Sequence, residues 1–240
     1  MPAHPPSIPE RLARLDWEAL ERSLWERGHA LTPPVLRAEE CTALAALFPD
    51  ERRFRSRIVM ERHRFGVGEY KYFAAPLPPL VAALRRHLYP PLAAIANRWR
   101  SATGSAERFP ARLDAFLAHC AAHGQARPTP LLLRYEAGGY NCLHQDVYGD
   151  VVFPLQATAF LSRPGVDYTG GEFLLVEQRP RAQSAGEAIV TPQGALLVFT
   201  TRERPQAGRR GYHRVQVRHG VSRIRSGLRL TLGVIFHDAR

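Results

Sequence analysis

A histidine and an aspartate two residues apart, His144 and Asp146, are the clearest candidates for metal ligands in this 240-residue chain. In a β-strand, residues i and i+2 point to the same side, so both side chains can reach one ion. A second histidine from a distant strand would complete a set of two imidazoles and one carboxylate. Such a set leaves coordination positions free for other ligands, which suits a metal ion that takes part in a reaction.

Two histidines further along the chain, His213 and His219, could supply the remaining ligand. They are six residues apart, which is ~20 Å along a strand, so they cannot both bind the same ion. Each is followed ten residues later by an arginine, Arg223 and Arg229 respectively. The residue types alone therefore leave both histidines open. Either choice gives the donor set that is typical of non-haem Fe(II) oxygenases.

The pattern of apolar residues, which indicates the elements that carry these ligands, changes near Pro128. Before this point, helical spacing predicts a helix capped by Asp16 and further helices near residues 38–47, 79–101 and 108–122. After it, apolar residues come in short runs bounded by Gly and Pro, which is typical of an antiparallel sandwich or barrel. The predicted strands are Leu131–Tyr135, Leu155–Leu161, Gly171–Val176, Ala195–Thr200, His213–Val221 and Leu228–Phe236.

This order of elements predicts an α+β fold in one structural unit. We expect a disordered, Pro-rich leader at residues 1–9, because such a composition cannot bury enough apolar surface to fold. Residues 10–127 are expected to form a mainly helical N-terminal layer, and residues 128–240 a β core. The helices should pack on one face of a sheet, as in other folds of this class.

The composition narrows the cellular context. No apolar run approaches the ~20 residues that a membrane helix needs. The N-terminus lacks the basic start and apolar stretch of a secretory signal, so we expect a cytoplasmic protein. The three cysteines are far apart, at positions 41, 120 and 142, which argues against a disulfide framework or a zinc site and fits a reducing compartment. The sequence does not indicate an oligomeric state.

The chain is strongly basic, with a formal net charge of +11 and a pI of about 10.4. Eight arginines lie between Arg202 and Arg225, where Glu203 is the only acid. This balance attracts polyanions such as DNA or RNA, although an Arg-rich solvated surface explains it equally well. Residues 53–73 add a basic, aromatic segment. The candidates for binding phosphates and stacking on bases are Arg209, Arg210, Arg214, Tyr70, Tyr72 and Phe73.

Four motifs over residues 132–236 resemble those of the prolyl 4-hydroxylase-like 2-oxoglutarate oxygenases. The segment that leads to the metal ligands places Tyr135 nine residues before His144, as in that family. The others resemble its Gly-Gly-Glu-Leu strand, its Pro-x-Gly-x-hydrophobic-Phe strand and its closing pattern His-x-Val-x-x-Val-x-x-Gly-x-(Lys or Arg). Those motifs are Gly170-Gly-Glu-Phe-Leu174, Pro192-Gln-Gly-Ala-Leu-Leu-Val-Phe199 and His219-Gly-Val-Ser-Arg-Ile-Arg-Ser-Gly-Leu-Arg229.

The resemblance implies that the core at residues 128–240 is a double-stranded β-helix, a relative of the jelly roll. It also selects His219 over His213 as the second metal-binding histidine. Starting from His219, the closing pattern fits throughout, with Ile at the second Val. Starting from His213, it fails at Arg218 and Val221, where Val and Gly are expected.

The same resemblance implies a cofactor, Fe(II), held by His144, Asp146 and His219, and a co-substrate, 2-oxoglutarate. The far carboxylate of 2-oxoglutarate is assigned to Arg229, since a guanidinium can bind a carboxylate in bidentate fashion. A hydroxyl group from Thr231, two residues further along the same strand face, could add to this site. The phenol of Tyr135 could do the same.

The expected reaction is hydroxylation of a C–H bond by O₂, with release of succinate and CO₂. Five further segments resemble a prokaryotic family of 2-oxoglutarate oxygenases assigned to oxidative demethylation of damaged nucleic acid: 57–63, 68–74, 142–146, 177–184 and 218–223. The ten-residue spacing from His219 to Arg229 is instead that of prolyl hydroxylases, so a protein hydroxylase is the alternative. A jelly roll that binds nucleic acid without catalysis is a second alternative, against which an intact iron site argues.

Overall fold

The computed structural model describes residues 5–179 and 182–240. Within them the helices are α1 (Ile8–Ala13), α2 (Trp17–Arg27), α3 (Ala38–Ala45), α4 (Pro79–Ala102) and α5 (Leu113–Ala122). The strands are β1 (His29–Pro34), β2 (Phe54–Val59), β3 (Gly66–Val67), β4 (Glu69–Phe73), β5 (Leu131–Glu136), β6 (Tyr140–His144), β7 (Leu155–Phe160), β8 (Tyr168–Gly170), β9 (Phe173–Gln178), β10 (Ala185–Ile189), β11 (Ala195–Thr200), β12 (Glu203–Gly208), β13 (Gly211–Val221) and β14 (Ile224–Val234).

Two antiparallel sheets form the body of the protein. Eight strands make one sheet in the order β1-β11-β7-β14-β5-β4-β2, with β8 paired to β14 beside this row. Six strands make the other in the order β10-β9-β13-β6-β3, with β12 paired to β13. Apolar side chains from both sheets share one cluster, in which Phe160 and Phe199 of the larger sheet meet Phe173 and Val217 of the smaller. The sheets therefore face each other, and the predicted α+β fold with a β-sandwich core is confirmed.

The helices cover the outer face of the eight-stranded sheet. Alternate residues of a strand point to opposite faces, and β11 shows what this does here. Leu196 and Val198 pack with the helices in the main core, whereas Leu197 and Phe199 pack between the sheets. All six residues of β11 are consequently buried. A strand covered on both faces reads as a continuous apolar run, which is how this strand was predicted from sequence.

The N-terminal leader is shorter than predicted. Residues 1–4 lie outside the described part of the chain, but α1 begins at Ile8, inside the predicted leader of residues 1–9. The Glu10 carboxylate accepts a hydrogen bond from the backbone N–H of Ser7 at 2.6 Å, which stabilises the first turn. Burial of Ile8 and Leu12 in the main core then holds the helix in place. The predicted cap of α2 is confirmed, since Asp16 accepts from the N–H of Ala19 at 2.9 Å.

Helix α5 begins at Leu113, five residues later than predicted. Pro110 disfavours a helical conformation at Phe109, the residue before it. The side chain of Asn97 also hydrogen-bonds both the N–H and the carbonyl of Phe109, at 2.8 and 3.0 Å. These bonds hold the chain in an extended path, so no helical turn forms there.

The sheet extends past the predicted boundary at residue 128. Strand β1 pairs with β11, and β4 pairs with β5, so residues from the N-terminal segment enlarge the sheet of the core. On β4, Lys71 and Phe73 face the main core. The Lys71 ammonium donates to the Phe48 carbonyl at 2.9 Å and to the Glu51 carboxylate at 2.7 Å. Its aliphatic stem is thereby buried while its charge is paired.

The three cysteines, at positions 41, 120 and 142, are free thiols. Among the described residues, no helix is long and apolar enough to cross a membrane.

Candidate active site

Two neighbouring strands of the smaller sheet bring His144 and His219 together. Strands β6 and β13 are antiparallel, and the two histidines are paired directly in register. Their ring centroids are 4.3 Å apart. Nε2 of His144 lies 3.4 Å from one carboxylate oxygen of Asp146, and Nε2 of His219 lies 3.3 Å from the other. One ligand atom from each residue falls within 4.8 Å of the others, so the three could hold one metal ion.

Asp146 reaches this position by a route that differs from the prediction. We expected His144 and Asp146 on one face of a strand, but β6 ends at His144. The residue between them, Gln145, explains the geometry. Its side-chain amide donates to the carbonyls of Arg202 and Val217, at 3.0 and 2.9 Å, and so ties the chain to β13 just beyond the strand end. The Asp146 carboxylate then lies beside both imidazoles.

Hydrogen bonds keep Asp146 ionised despite its buried position. Burial alone would raise the pKa of Asp146, but the hydrogen bonds with His144 and His219 hold it well below its usual range. Gln156 on β7 also donates to the carboxylate, at 2.7 Å. An ionised carboxylate is the form that binds a metal ion, so this environment preserves a ligand.

Each histidine is held in one orientation. The Nδ1–H of His144 donates to the carbonyl of Cys142 at 2.8 Å, which leaves Nε2 free to face Asp146. The His219 ring is parallel to Phe173, with 3° between the planes, and meets Phe199 edge-on at 4.8 Å. Burial lowers the pKa of His219. This shift favours the neutral imidazole, which is the form that binds metals.

The three residues line a cavity of about 480 Å³ between the two sheets. Arg229 on β14 lies in the same cavity and is 1% exposed. Its Nε and one terminal nitrogen have no hydrogen-bond partner among the described residues. A buried guanidinium with free donors is costly unless an anion meets it. The cavity therefore presents a metal-binding set and an unpaired cation to the same ligand.

The hydroxyl groups of Tyr135 and Thr231 lie in the cavity with Arg229. Tyr135 lies directly opposite Arg229 on β5, and its phenol is buried without a partner in the described chain. Burial raises the pKa of Tyr135 to about 12, so the phenol stays protonated and can donate. Thr231 follows two residues after Arg229, is 1% exposed and also lines the cavity.

Gly171 makes the space that Arg229 needs. It has a φ of +66°, in the left-handed region that favours glycine. A Cβ atom there would lie 2.3 Å from Ile224 and 2.9 Å from the Arg229 side chain. The second glycine of the Gly170–Gly171 pair is thus required by the packing around the guanidinium.

The aromatic residues proposed for substrate contact divide between the cavity and the core. Tyr70 and Tyr72 line the cavity from β4, with their rings edge to face at 5.5 Å. Phe73 is fully buried and stacks on Phe54 in the main core, so the prediction that it contacts a base is wrong. The strand alternation explains the difference, since residues 70 and 72 point to the opposite face from residue 73.

The Arg-rich stretch, residues 202–225, contains both exposed and buried arginines. Arg209 and Arg210 lie in the exposed turn between β12 and β13, and Arg214 is exposed on β13. Arg204, by contrast, is 4% exposed and pairs with Glu177 at 2.6 Å. Part of the basic stretch is therefore buried structure, and the candidate polyanion surface is smaller than the sequence suggested.

The rejected alternatives, His213 and Arg223, lie outside the cavity. His213 is exposed on β13 and paired with Gln206 of β12. Arg223 is exposed, lies over the Tyr140 ring at 4.6 Å and donates to the Gly138 carbonyl. Neither residue lines the cavity that contains Arg229.

A larger groove of about 900 Å³ lies beside the cavity. Arg100, Arg108, Arg202 and Arg214 line it, together with the acids Glu107, Asp150 and Glu203. Residues 146–149 form the wall between groove and cavity. Residues 146 and 148 line the cavity, whereas residues 147 and 149 line the groove.

Among the cavity residues that were not predicted from the sequence are Gln145, Tyr148 and Gln156. Tyr148 follows Asp146 by two residues, the same spacing that drew attention to His144, so it could have been found. Gln156 comes from β7, and nothing in its local sequence marks it as a partner of Asp146. The contact arises because the two sheets face each other.

The sequence matches a family described as an oxygenase catalysing oxidative methylation of damaged DNA, over residues 68–239. Among curated proteins, an uncharacterized protein of Mycobacterium tuberculosis, found in strains H37Rv and CDC 1551, is 53% identical over 167 residues. The match covers 70% of this chain and 72% of that protein.

Solved structures resemble the chain in fold. A prolyl-4-hydroxylase of Pseudomonas putida has a TM-score of 0.54 at 15% identity, covering 93% of this chain and 99% of that one. A member of the 2OG-Fe(II) oxygenase family from Burkholderia pseudomallei has a TM-score of 0.50 at 15% identity, covering 93% and 92%. The non-heme alpha ketoglutarate dependent epimerase SnoN scores 0.56 at 16% identity, covering 92% and 83%.

The comparisons confirm the predicted enzyme class and the double-stranded β-helix. The family match spans well over half of the chain and is independent of the structural resemblance. The cofactor and co-substrate expected from the sequence, Fe(II) and 2-oxoglutarate, are those named for the Burkholderia structure, and the His-Asp-His set is present. The chain belongs to this oxygenase family and has the fold of the 2-oxoglutarate- and Fe(II)-dependent oxygenases.

Proposed function

We propose that this chain hydroxylates methyl groups on damaged nucleic acid, using Fe(II) and 2-oxoglutarate, and so removes those groups. One observation carries the proposal. A set of two histidines and one aspartate shares a cavity with a buried arginine whose donors are unpaired. A metal ion alone would need only the two histidines and the aspartate, and a simple anion would need only the arginine. A keto acid with a second carboxylate uses both.

The residues fit the metal. His144, Asp146 and His219 would hold Fe(II), because two imidazoles and one carboxylate on one side of an ion leave the other positions open. Gln156 would keep the Asp146 carboxylate oriented through the hydrogen bond at 2.7 Å. Partners of this kind typically change metal affinity 10- to 100-fold when they are removed.

The residues also fit 2-oxoglutarate. Arg229 would bind its far carboxylate, with the Tyr135 phenol as a further donor and the Thr231 hydroxyl beside them. The free nitrogen donors of Arg229 and the free phenol support this assignment, since buried polar groups are nearly always hydrogen-bonded. The apolar residues Phe173 and Phe199 line the cavity, and the Phe160 ring centroid lies 5.1 Å from the Arg229 guanidinium carbon. These side chains would exclude water and strengthen the ion pair.

The bound metal and co-substrate supply the oxidation, in which one oxygen atom of O₂ enters succinate, with loss of CO₂, and the other hydroxylates a substrate C–H bond. When that bond belongs to a methyl group on nitrogen, the hydroxymethyl product loses formaldehyde and leaves an N–H. Oxygenation of a methyl carbon thus leads to removal of the group. We therefore propose demethylation as the outcome.

Three features support nucleic acid as the substrate. The matching family is described as acting on damaged DNA. The net charge is +11, and arginines line the groove next to the cavity. Residues of the segment 146–149 line the groove and the cavity alternately, so a strand in the groove would pass close to the metal ligand Asp146. A base out of the stack could then enter the cavity.

A protein hydroxylase is the second candidate, because the ten-residue spacing from His219 to Arg229 resembles prolyl hydroxylases. The likeness to the Pseudomonas prolyl-4-hydroxylase, at 15% identity, concerns the fold alone. The contents of the cavity argue against the third candidate, a binder without catalysis, because such a protein gains nothing from an unpaired buried Arg229 beside a metal-binding set.

The choice of metal ligands can be tested by single substitutions. We expect His144→Ala, Asp146→Ala and His219→Ala each to abolish Fe(II) binding and 2-oxoglutarate turnover. The matched control is His213→Ala, which removes an exposed histidine from the same strand as His219 and should retain both. Anaerobic metal titration and succinate release are the measurements. An inactive His213→Ala variant with an active His219→Ala variant would reverse the assignment.

The role of Arg229 has its own test. Arg229→Gln removes a charge-assisted pair of hydrogen bonds, so we expect the 2-oxoglutarate requirement to rise roughly 10- to 150-fold. Binding of Fe(II) should persist, because the metal ligands are unchanged. Arg223→Gln serves as the control, since this exposed arginine lies outside the cavity. Equal 2-oxoglutarate affinities for the two variants would remove Arg229 from the co-substrate site.

The substrate class can be decided by offering the protein two sets of compounds, N-methylated oligonucleotides and prolyl peptides. We expect the protein, with Fe(II), ascorbate and 2-oxoglutarate, to convert N-methylated single-stranded oligonucleotides with release of formaldehyde. Mass spectrometry should show loss of one methyl group for each succinate formed. Prolyl peptides should be unchanged. A mass gain of one oxygen on a peptide, without any change in the oligonucleotides, would favour the protein hydroxylase.

Binding of nucleic acid should depend steeply on salt, because each phosphate contact releases condensed counterions. For a single strand, the log–log slope changes by about 0.7 per contact, so removing three contacts should reduce it by roughly 2. We expect this flattening for the combined variant Arg209→Gln, Arg210→Gln, Arg214→Gln. The control is the combined variant Arg52→Gln, Arg112→Gln, Arg163→Gln, which has the same change in charge. These three arginines are exposed and each is paired with an acid. They line neither the groove nor the cavity. Equal slopes for the two triple variants would contradict the proposed contact surface.

A further inference from the structure

A short segment at residues 60–66 closes one side of the cavity. It begins with a helical turn, Met60–His63, and continues through Arg64, whose φ of 59° reverses the chain. Met60 is buried in a cluster with Tyr135. The backbone N–H of Cys142 donates to the carbonyl of Phe65 at 2.8 Å, which ties the segment to β6. The backbone of this mouth segment, residues 60–66, is thus anchored at both ends.

The side chains of the mouth segment are unusual for an anchored turn. Phe65 lines the cavity, yet 47% of it is exposed, so it lies where the cavity opens to solvent. Its ring stacks on His63, with centroids 5.3 Å apart and 23° between the planes. Leu143 on β6 also lines the cavity and is 40% exposed. Apolar surface at the entrance of a polar site commonly marks a place where a ligand is covered.

Positive charge flanks this aromatic pair. Arg62 and Arg64 are exposed, and neither takes part in an ion pair within the described chain. The nearby acid, Glu61, is directed to the backbone N–H of Gly68 at 3.4 Å. Two free guanidinium groups beside an exposed aromatic pair form a surface that offers both stacking and phosphate contacts.

We infer that Phe65 and His63 form a stacking surface for an unpaired nucleobase next to the modified nucleotide, while Arg62 and Arg64 contact its phosphates. This inference rests on the proposed function, since it takes the substrate to be a nucleic acid. A base that enters the cavity leaves its neighbour without a stacking partner. An aromatic ring at the entrance replaces that partner and tolerates any sequence, because every base has a flat face.

The test uses the full-length protein and a short single-stranded oligonucleotide with 2-aminopurine beside an N-methylated base. Phe65→Ala and Phe65→Leu remove the ring, and Phe65→Trp keeps one. Because loss of a stacked base lowers affinity roughly 5- to 150-fold, we expect that loss in both ring-free variants. Phe65→Trp should bind like the parent and quench the 2-aminopurine. Val166→Ala, which changes an apolar residue that is 69% exposed and outside the cavity, is the control.

The outcomes separate this inference from the proposed function. Parent-like binding by Phe65→Ala, in a protein that demethylates the oligonucleotide, would overturn the stacking surface alone. Parent-like binding by Phe65→Leu, with loss in Phe65→Ala, would overturn stacking in favour of simple apolar contact. An absence of oligonucleotide binding by the parent at low salt would overturn both. Circular dichroism of each variant verifies folding, and a misfolded Phe65→Ala leaves the comparison of Phe65→Leu with Phe65→Trp as the deciding one.

Discussion

The register between β6 and β13 is the constraint on which the site depends, because it sets His144 opposite His219. A shift of one residue would turn one imidazole to the other face of the sheet. Gly220 permits the close approach beside His219, since a Cβ atom there would lie 2.7 Å from the carbonyl oxygen of Asn141. Phe173 and Phe199 then hold the ring from the sheet interior. Backbone pairing and packing thus position both imidazoles before any ion binds.

The site residues that could be predicted from the sequence are those that lie at fixed, short separations within sequence motifs. His144 and Asp146 are two residues apart, and Arg229 follows His219 along the chain, so motifs reveal them. The expectation that Asp146 lies on the strand with His144 is wrong, because β6 ends at His144 and Gln145 then ties the chain to β13. Contacts such as that of Gln156 with Asp146 join β7 of the larger sheet to the segment that follows β6 of the smaller sheet. They depend on the sheet order, which the periodicity of one sequence does not determine.

Strand β4, which was not predicted from the sequence, has different surroundings on its two faces. On β4, Tyr70 and Tyr72 face the cavity while Lys71 and Phe73 face the main core. A cavity on one side and a core on the other remove the simple alternation that marks a half-exposed strand. The result is a segment that reads as a basic, aromatic loop. The same mixture led to the incorrect assignment of Phe73 as a base-stacking residue.

Lys71 is the only lysine in the chain, so the remaining 32 of 33 basic residues are arginines. Its ammonium is buried beneath Phe48, 4.4 Å from the ring centroid, and paired with Glu51. Arginine keeps its charge at every pH at which proteins fold, whereas acetylation can neutralise lysine. The positive surface of this protein is therefore permanent. Neither physiological changes of pH nor acetylation of its one lysine can reduce that surface charge.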